Sequence, residues 1–73
     1  MKNLFTPEKK VEGTLVGVDG NAFALMGHWS RLARRQHWSP EDIEKVLDVC
    51  YEGNYSKLVC TLSTHMTMKE SGE

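Results

Sequence analysis

The sequence has no long apolar run, and this absence limits the classes of protein to which it can belong. No stretch approaches the ~18 apolar residues that a membrane-spanning helix needs, and the N-terminus shows no signal-peptide hydrophobic region. The formal net charge is only −1, so the chain as a whole is not attracted to nucleic acid or to an anionic membrane. The sequence therefore predicts a soluble, cytoplasmic protein with no membrane partner.

Cysteine is scarce, and the side chains that could bind a metal are poorly spaced for it. In chain order these residues are His28, His37, Cys50, Cys60 and His65, separated by 9, 13, 10 and 5 positions. None of these gaps matches the C-x₂-C or H-x₃-H spacing of metal sites, so we expect no metal and no cofactor. The histidines are expected at the surface, and the two cysteines as reduced, partly buried thiols rather than a disulfide.

Motifs of the common catalytic classes are also missing. The sequence contains no G-x-S-x-G, H-E-x-x-H or P-loop. A glycine turn at Asp19-Gly20-Asn21 precedes a predicted helix and could bind an anion through backbone N–H groups, but a turn followed by a helix cap explains it without a ligand. Asp19 is better explained as a turn residue than as a catalytic carboxylate. We therefore predict that the protein is not an enzyme.

The length of 73 residues predicts one small domain. A core of this size rarely supplies more than ~3–5 kcal/mol of net stability. We expect a single domain over residues 1–73, with flexible tails at residues 1–9 and 70–73. Leu4 and Phe5 could instead fold back onto the core.

The chain opens with a strand pattern that changes into a helix pattern. Residues Val11–Val18 predict the first strand, and Asn21 can cap the helix that follows. Six residues of that helix fall on one stripe that is predicted to face the core: Ala22, Leu25, Met26, Trp29, Leu32 and Ala33. Phe23 lies outside this stripe, so its ring must turn back over the strand or face a partner.

Two further helices and a second strand are predicted. Ser39 and Pro40 predict the start of helix two, whose buried face comprises Ile43, Val46, Leu47 and Cys50. Asn54 can cap helix three, whose core side comprises Tyr55, Leu58, Val59 and Leu62. Alternation over residues 62–68 predicts a strand that pairs with the first. The expected fold is α+β, in the order β-α-α-α-β with a two-stranded sheet, and a three-helix bundle with one N-terminal strand is the alternative.

Several of these features resemble a group of small uncharacterised bacterial and phage proteins. The signature is L-V-G-x-D-G-N-A-F-x-x-x-G, matched here by residues 15–23 with Gly27. The likeness continues at Arg34-Arg35, at Glu41-Asp42-Ile43 and at Gly53-Asn54-Tyr55 followed by Leu58-Val59. It covers residues 13–62, departs where Asn54 and Ser56 replace expected acids, and implies a fold but no reaction. It also suggests a phage or mobile-element origin, with the host cytoplasm as the location.

The candidate site residues all lie on helix one. His28, Arg31 and Arg35 share one helix face, Arg34 flanks it, and Phe23 is the residue that the core stripe leaves unexplained. Residues 28–38 contain three arginines and no acid. This face could be solvated, paired internally with the acids of helix two, or used to bind a partner.

We interpret the protein as a small non-enzymatic interaction domain. It would bind an unidentified protein through the basic end of helix one or the acidic face of helix two, and could modulate or inhibit a host protein. A nucleic-acid-binding regulator that uses the same arginines is the alternative, although three arginines make a small footprint. A homodimer is a third hypothesis, since so small a core gains from oligomerisation.

Overall fold

A computed structural model describes residues 1–68 and shows three helices beside a two-stranded sheet. The elements are β1 (Val11–Gly13), α1 (Ala22–Arg35), α2 (Pro40–Glu52), α3 (Tyr55–Thr64) and β2 (Met66–Met68). This order confirms the predicted α+β fold in preference to the helical bundle with one strand. The tail predicted at residues 70–73 lies outside the described residues. No helix within residues 1–68 is long and apolar enough to cross a membrane.

The sheet joins the two ends of the described chain. β1 and β2 are parallel, with Val11 opposite Met66 and Gly13 opposite Met68. Parallel neighbours need a long crossover, and here the crossover contains all three helices. The N–H of Val11 also donates to the carbonyl of His65 at 2.9 Å, which extends the pairing by one bond. Closure of the sheet therefore holds the helices within one unit.

The first strand is shorter than the sequence predicts. β1 ends at Gly13, and residues 14–18 form an irregular turn in which Val16 is 82% exposed. Gly17 has a φ of +83°, which is a left-handed conformation rather than a strand conformation. At Gly13 a Cβ would lie 2.5 Å from Cδ1 of Leu32, so the absence of a side chain lets β1 approach α1. The prediction of a strand over Val11–Val18 is wrong beyond Gly13.

The second strand begins later than predicted because α3 continues to Thr64. The hydroxyls of Thr61 and Thr64 donate to the carbonyls of Lys57 and Cys60, four residues earlier in the helix. Thr64 therefore fits into the last turn of the helix, although it belongs to the alternation over residues 62–68 that predicts a strand. The predicted strand is correct only for residues 66–68.

The predicted core stripes are largely confirmed. The buried apolar residues of the helices are Leu25, Met26, Trp29, Ala33, Ile43, Val46, Cys50, Leu58 and Leu62, joined by Val11 and Met66 of the sheet. Leu47 and Val59 pack against this core and are partly buried. Tyr55 departs from the prediction, because its ring is half-exposed and its hydroxyl donates to the carbonyl of Gly20. The short α3 thus buries Leu58, Thr61 and Leu62, with Val59 partly buried beside them.

Three polar side chains cap the helices at the positions that the sequence predicts. The Oδ1 of Asn21 accepts the N–H of Phe23 at 2.8 Å, and the Oδ1 of Asn54 accepts the N–H of Lys57 at 2.9 Å. The hydroxyl of Ser39 accepts the N–H of Asp42 at 3.2 Å. Each cap satisfies a backbone donor that has no partner within the helix.

The Ser39 cap gives a first test. Ser39→Ala is expected to lower the free energy of unfolding by ~1 kcal/mol, because the N–H of Asp42 loses its acceptor. Chemical denaturation of the variant and of the wild-type protein would measure this difference. Equal midpoints and slopes would mean that the hydroxyl does not stabilise the start of α2.

Leu4 and Phe5 of the N-terminal segment pack against the core, which is the alternative that the sequence left open beside a flexible tail over residues 1–9. The side-chain amide of Asn3 donates to the carbonyl of Lys9 at 2.9 Å and accepts the N–H of Phe5 at 2.9 Å. The ring of Phe5 lies edge-on to Trp38, with 5.5 Å between the ring centroids. Leu4 also packs against the core. One polar side chain therefore shapes a loop that brings two apolar residues onto the helices.

Candidate protein-interaction surface

The five predicted site residues do not form one cluster. Phe23 is in the first turn of α1, with its side chain 73% exposed. Arg34 is eleven residues later in the last turn, about 16 Å further along the helix axis. Arg31 and Arg35 are also exposed and lie near that C-terminal end. The structure thus groups the three arginines and leaves Phe23 at the opposite end of the helix.

His28 differs from the other four because it is part of the fold. Its ring is half-buried, and Nε2 lies 2.8 Å from the carbonyl oxygen of Thr14. Since a carbonyl can only accept, Nε2 donates the proton of this bond. His28 therefore ties the turn after β1 to α1 through one of its two ring nitrogens.

The arginines of α1 are not paired within the described part of the chain. The ion pairs found among residues 1–68 join Lys9 to Asp42 and Lys10 to Glu8, and none involves Arg31, Arg34 or Arg35. Internal pairing with α2, one of the three alternatives for this face, is therefore not observed. The last turn of a helix favours cations, which explains why the arginines are tolerated there without partners.

A groove lies on α2 beside the last turn of α1. It has a volume of about 340 Å³. Its lining residues are Arg34, Trp38, Pro40, Ile43, Glu44, Leu47, Asp48 and Tyr51. Trp38, Ile43 and Leu47 contribute apolar side chains to this lining, and Arg34, Glu44 and Asp48 contribute charged ones. A surface that combines apolar and charged side chains is typical of protein-binding sites.

The two sides of the groove carry opposite charge. Arg34 stands on the α1 side, and Glu44 and Asp48 stand on the α2 side. Within residues 1–68 none of the three forms an ion pair, so neither sign is neutralised across the groove. Beyond the groove the charge separation continues, because α2 carries further acids and only one base, Lys45. The groove therefore presents a charge pattern that a partner could complement.

Tyr51 is the residue of this surface that the sequence did not reveal. Its ring lines one end of the groove and is 66% exposed. Tyrosine is enriched at the energetically important positions of protein interfaces, because a rigid ring buries a large area at a small cost in entropy. The sequence feature that could have identified Tyr51 is its spacing of four residues from Leu47, which places both side chains on one side of α2.

A second cavity lies between the N-terminal segment and the end of α3. Its volume is about 670 Å³, and its lining includes Asn3, Phe5, Glu8 and Thr64. No group of three or more side chains that could hold a metal ion occurs among the residues that the structure describes. The packing of the N-terminal loop explains this cavity without a ligand.

His65 contradicts the expectation that the histidines lie at the surface, because its side chain is fully buried. Its Nδ1 donates to the carbonyl of Thr61 at 2.7 Å, and its Nε2 accepts the N–H of Leu4 at 3.0 Å. Its carbonyl accepts both the N–H of Val11 and the Nε1–H of Trp29. Burial lowers the pKa of this imidazole below its ordinary value, so its neutral form is favoured. His65 thus joins the N-terminal loop, β1, α1 and α3.

The two cysteines are free thiols in different surroundings. Burial raises the pKa of Cys50 to about 11, because the thiolate would have to form in the core. Cys60 is exposed on α3, which differs from the predicted partial burial.

This contrast gives a second test. A thiol reagent such as dithionitrobenzoate is expected to modify one cysteine rapidly in the native protein, and Cys60→Ser should abolish that rapid phase. Cys50 should react only as fast as the domain opens, because the thiolate is the nucleophile. Two rapid phases in the wild-type protein would contradict the buried position of Cys50.

No protein-family model, curated protein or solved structure matches this chain.

Proposed function

We propose that this domain binds another protein, and that the groove between α1 and α2 is its contact surface. The observation that carries the proposal is a groove lined by apolar side chains together with charges of both signs, none of which forms an ion pair within residues 1–68. The sequence indicated either the basic end of helix one or the acidic face of helix two. The groove lies between these two regions and uses both.

The partner has a defined chemistry. It presents an apolar ridge to Trp38 and Leu47, an acidic group to Arg34 and a basic group to Asp48. Charges of the opposite arrangement would be repelled on both sides, which gives the groove selectivity as well as attraction. Tyr51 extends the apolar contact at one end. In this proposal the domain acts in the cytoplasm by contact alone and modulates the protein that it binds.

Photocrosslinking in living bacterial cells tests the proposal. Tyr51 is replaced by benzoylphenylalanine, which joins to whatever lies against that position. The control carries the same replacement at Tyr55, which is also exposed but does not line the groove. We expect protein adducts from position 51 and few from position 55, with their masses and peptides identified by mass spectrometry. Absence of a protein adduct at position 51, or equal yields from both positions, would overturn the proposal.

Nucleic-acid binding is the second candidate, because Arg31, Arg34 and Arg35 are exposed and unpaired within residues 1–68. Titration with single- and double-stranded oligonucleotides at two salt concentrations separates the candidates. Contacts to phosphates release counterions, so that affinity would fall steeply with salt and on Arg31→Glu. Protein binding at the groove predicts instead that the affinity for oligonucleotides is weak. It also predicts that Leu47→Asp lowers the crosslinking yield more than Arg31→Glu does.

A further inference from the structure

The charge pattern of the groove is one that a second copy of the same chain could complement. We propose that the groove binds a second copy of this chain, related to the first by a two-fold axis that runs along the groove. This inference rests on the proposed function, because it uses the same surface and specifies its occupant.

A two-fold axis in this direction makes the surface complementary to itself. A two-fold rotation about an axis along the groove exchanges the two sides of the groove. The α2 side of the second copy then faces the α1 side of the first, and the α1 side of the second copy faces the α2 side of the first. Arg34 of each copy then stands opposite Glu44 and Asp48 of the other. Each favourable pair occurs twice, as it must in an interface that uses the same patch on both subunits.

The places of Arg34 and Glu44 in the chain fit this arrangement. α1 ends at Arg35 and α2 begins at Pro40, so the two helices are joined by a short connection. Arg34 in the last turn of α1 and Glu44 near the start of α2 line the same groove. A rotation about the groove axis changes the side but not the level of a residue. Arg34 and Glu44 can therefore meet across the interface without sliding one copy along the other.

The charges are available because they are not paired within the described part of each copy. The same lining contributes the ring of Trp38 and the side chain of Leu47, both partly buried, and the exposed ring of Tyr51. These side chains supply apolar surface that a second copy could cover.

Light scattering coupled to size exclusion tests the dimer over a range of protein concentrations. The wild-type protein should change from monomer to dimer as its concentration rises, and added salt should weaken the dimer because exposed charge pairs are screened.

Arg34→Glu should weaken dimerisation by about tenfold or more, since each reversal places like charges together twice. Arg31→Glu makes the same change of charge on α1 but outside the groove lining, and should leave the dimer within about twofold of the wild-type affinity, as expected for a charge outside the contact.

Mixing two variants gives the decisive result. Arg34→Glu alone and the double variant Glu44→Arg with Asp48→Arg should both be monomeric, because each meets its own charge across the two-fold axis. An equimolar mixture should form a heterodimer, since both sets of opposed charges are then attractive. Circular dichroism of each variant checks that these surface changes leave the helices intact.

Three results would overturn the dimer. They are a monomeric wild-type protein at every concentration, equal weakening by Arg31→Glu and Arg34→Glu, and failure of the mixed variants to associate. None of these results removes the proposed function if Tyr51 still crosslinks to a different protein. Absence of any protein adduct from Tyr51 would remove both.

Discussion

Replacement of Trp29 by alanine is expected to unfold the domain. Trp29 is fully buried, and its Nε1–H donates to the carbonyl of His65. Its ring also packs edge-on against Trp38, with 5.2 Å between centroids. Loss of a buried aromatic ring costs ~3–5 kcal/mol, which is as large as the net stability that a core of this size supplies. The variant should therefore lose cooperative thermal unfolding and near-ultraviolet circular dichroism.

Phe23→Ala provides the matched control on the same helix. It also removes an aromatic ring from α1, but this ring is 73% exposed. Exposed substitutions usually change stability by less than ~0.5 kcal/mol, so the variant should unfold as the wild-type protein does. If Trp29→Ala kept the wild-type melting temperature, the assignment of Trp29 to the centre of the core would be wrong.

The second large effect is expected at His65. His65→Ala removes a fully buried ring and leaves the N–H of Leu4 without its acceptor. An unsatisfied buried donor costs ~1–3 kcal/mol. The empty space that the lost imidazole ring would leave beside Phe5 adds to this cost. Hydrogen exchange should show faster exchange at Leu4, whose amide the ring protects. His37→Asn is the control, because it removes an exposed imidazole while asparagine tolerates the positive φ of that position.

Mild acid is expected to act through the same residue. Burial lowers the pKa of His65 in the folded state, so below the ordinary value of 6.5 the unfolded chain binds a proton that the folded chain does not. Stability should therefore fall as the pH decreases through 6.5, until the lowered folded-state pKa is reached. No stability from this group is lost at higher pH, where His65 is neutral in both states.

Chemical denaturation from pH 8 to pH 5 measures this effect in the wild-type protein and in His65→Gln. Groups common to both proteins contribute equally, so the difference between the two curves isolates His65. The difference should decrease towards acid pH. A constant difference would mean that His65 takes up its proton as readily in the folded state as in the unfolded state.

Features set by local chemistry could be predicted from the sequence. Asn21, Ser39 and Asn54 cap their helices because the side-chain oxygen and the backbone donor lie within three residues of each other. The core stripe of α1 follows from the helical repeat alone. These are short-range rules, and no other part of the chain competes with them.

Features set by contacts between distant residues could not be predicted in the same way. The strand pattern continued past Gly13, but the turn depends on the conformation of Gly17 and on the approach of Leu32. His65 follows the polar alternation of a surface strand, yet the N-terminal loop covers it through a bond over 61 residues. Such partners become visible only once the chain is folded.

The candidate surface shows both cases. The sequence correctly separated a basic α1 from an acidic α2, since charge is a property of composition. It did not predict the groove, because a groove depends on how far apart two helices pack, nor did it identify Tyr51. It selected Phe23 because the core stripe left that residue unexplained, and the length of α1 separates Phe23 from the arginines.

A dilution series followed by nuclear magnetic resonance tests whether a second copy of the chain occupies the α1–α2 groove. With increasing protein concentration, the signals of Trp38, Leu47 and Tyr51 should shift together along one binding curve, and those of Lys57 and Thr67 should not move. Shifts centred on other residues, or no shifts at any concentration, would contradict the claim.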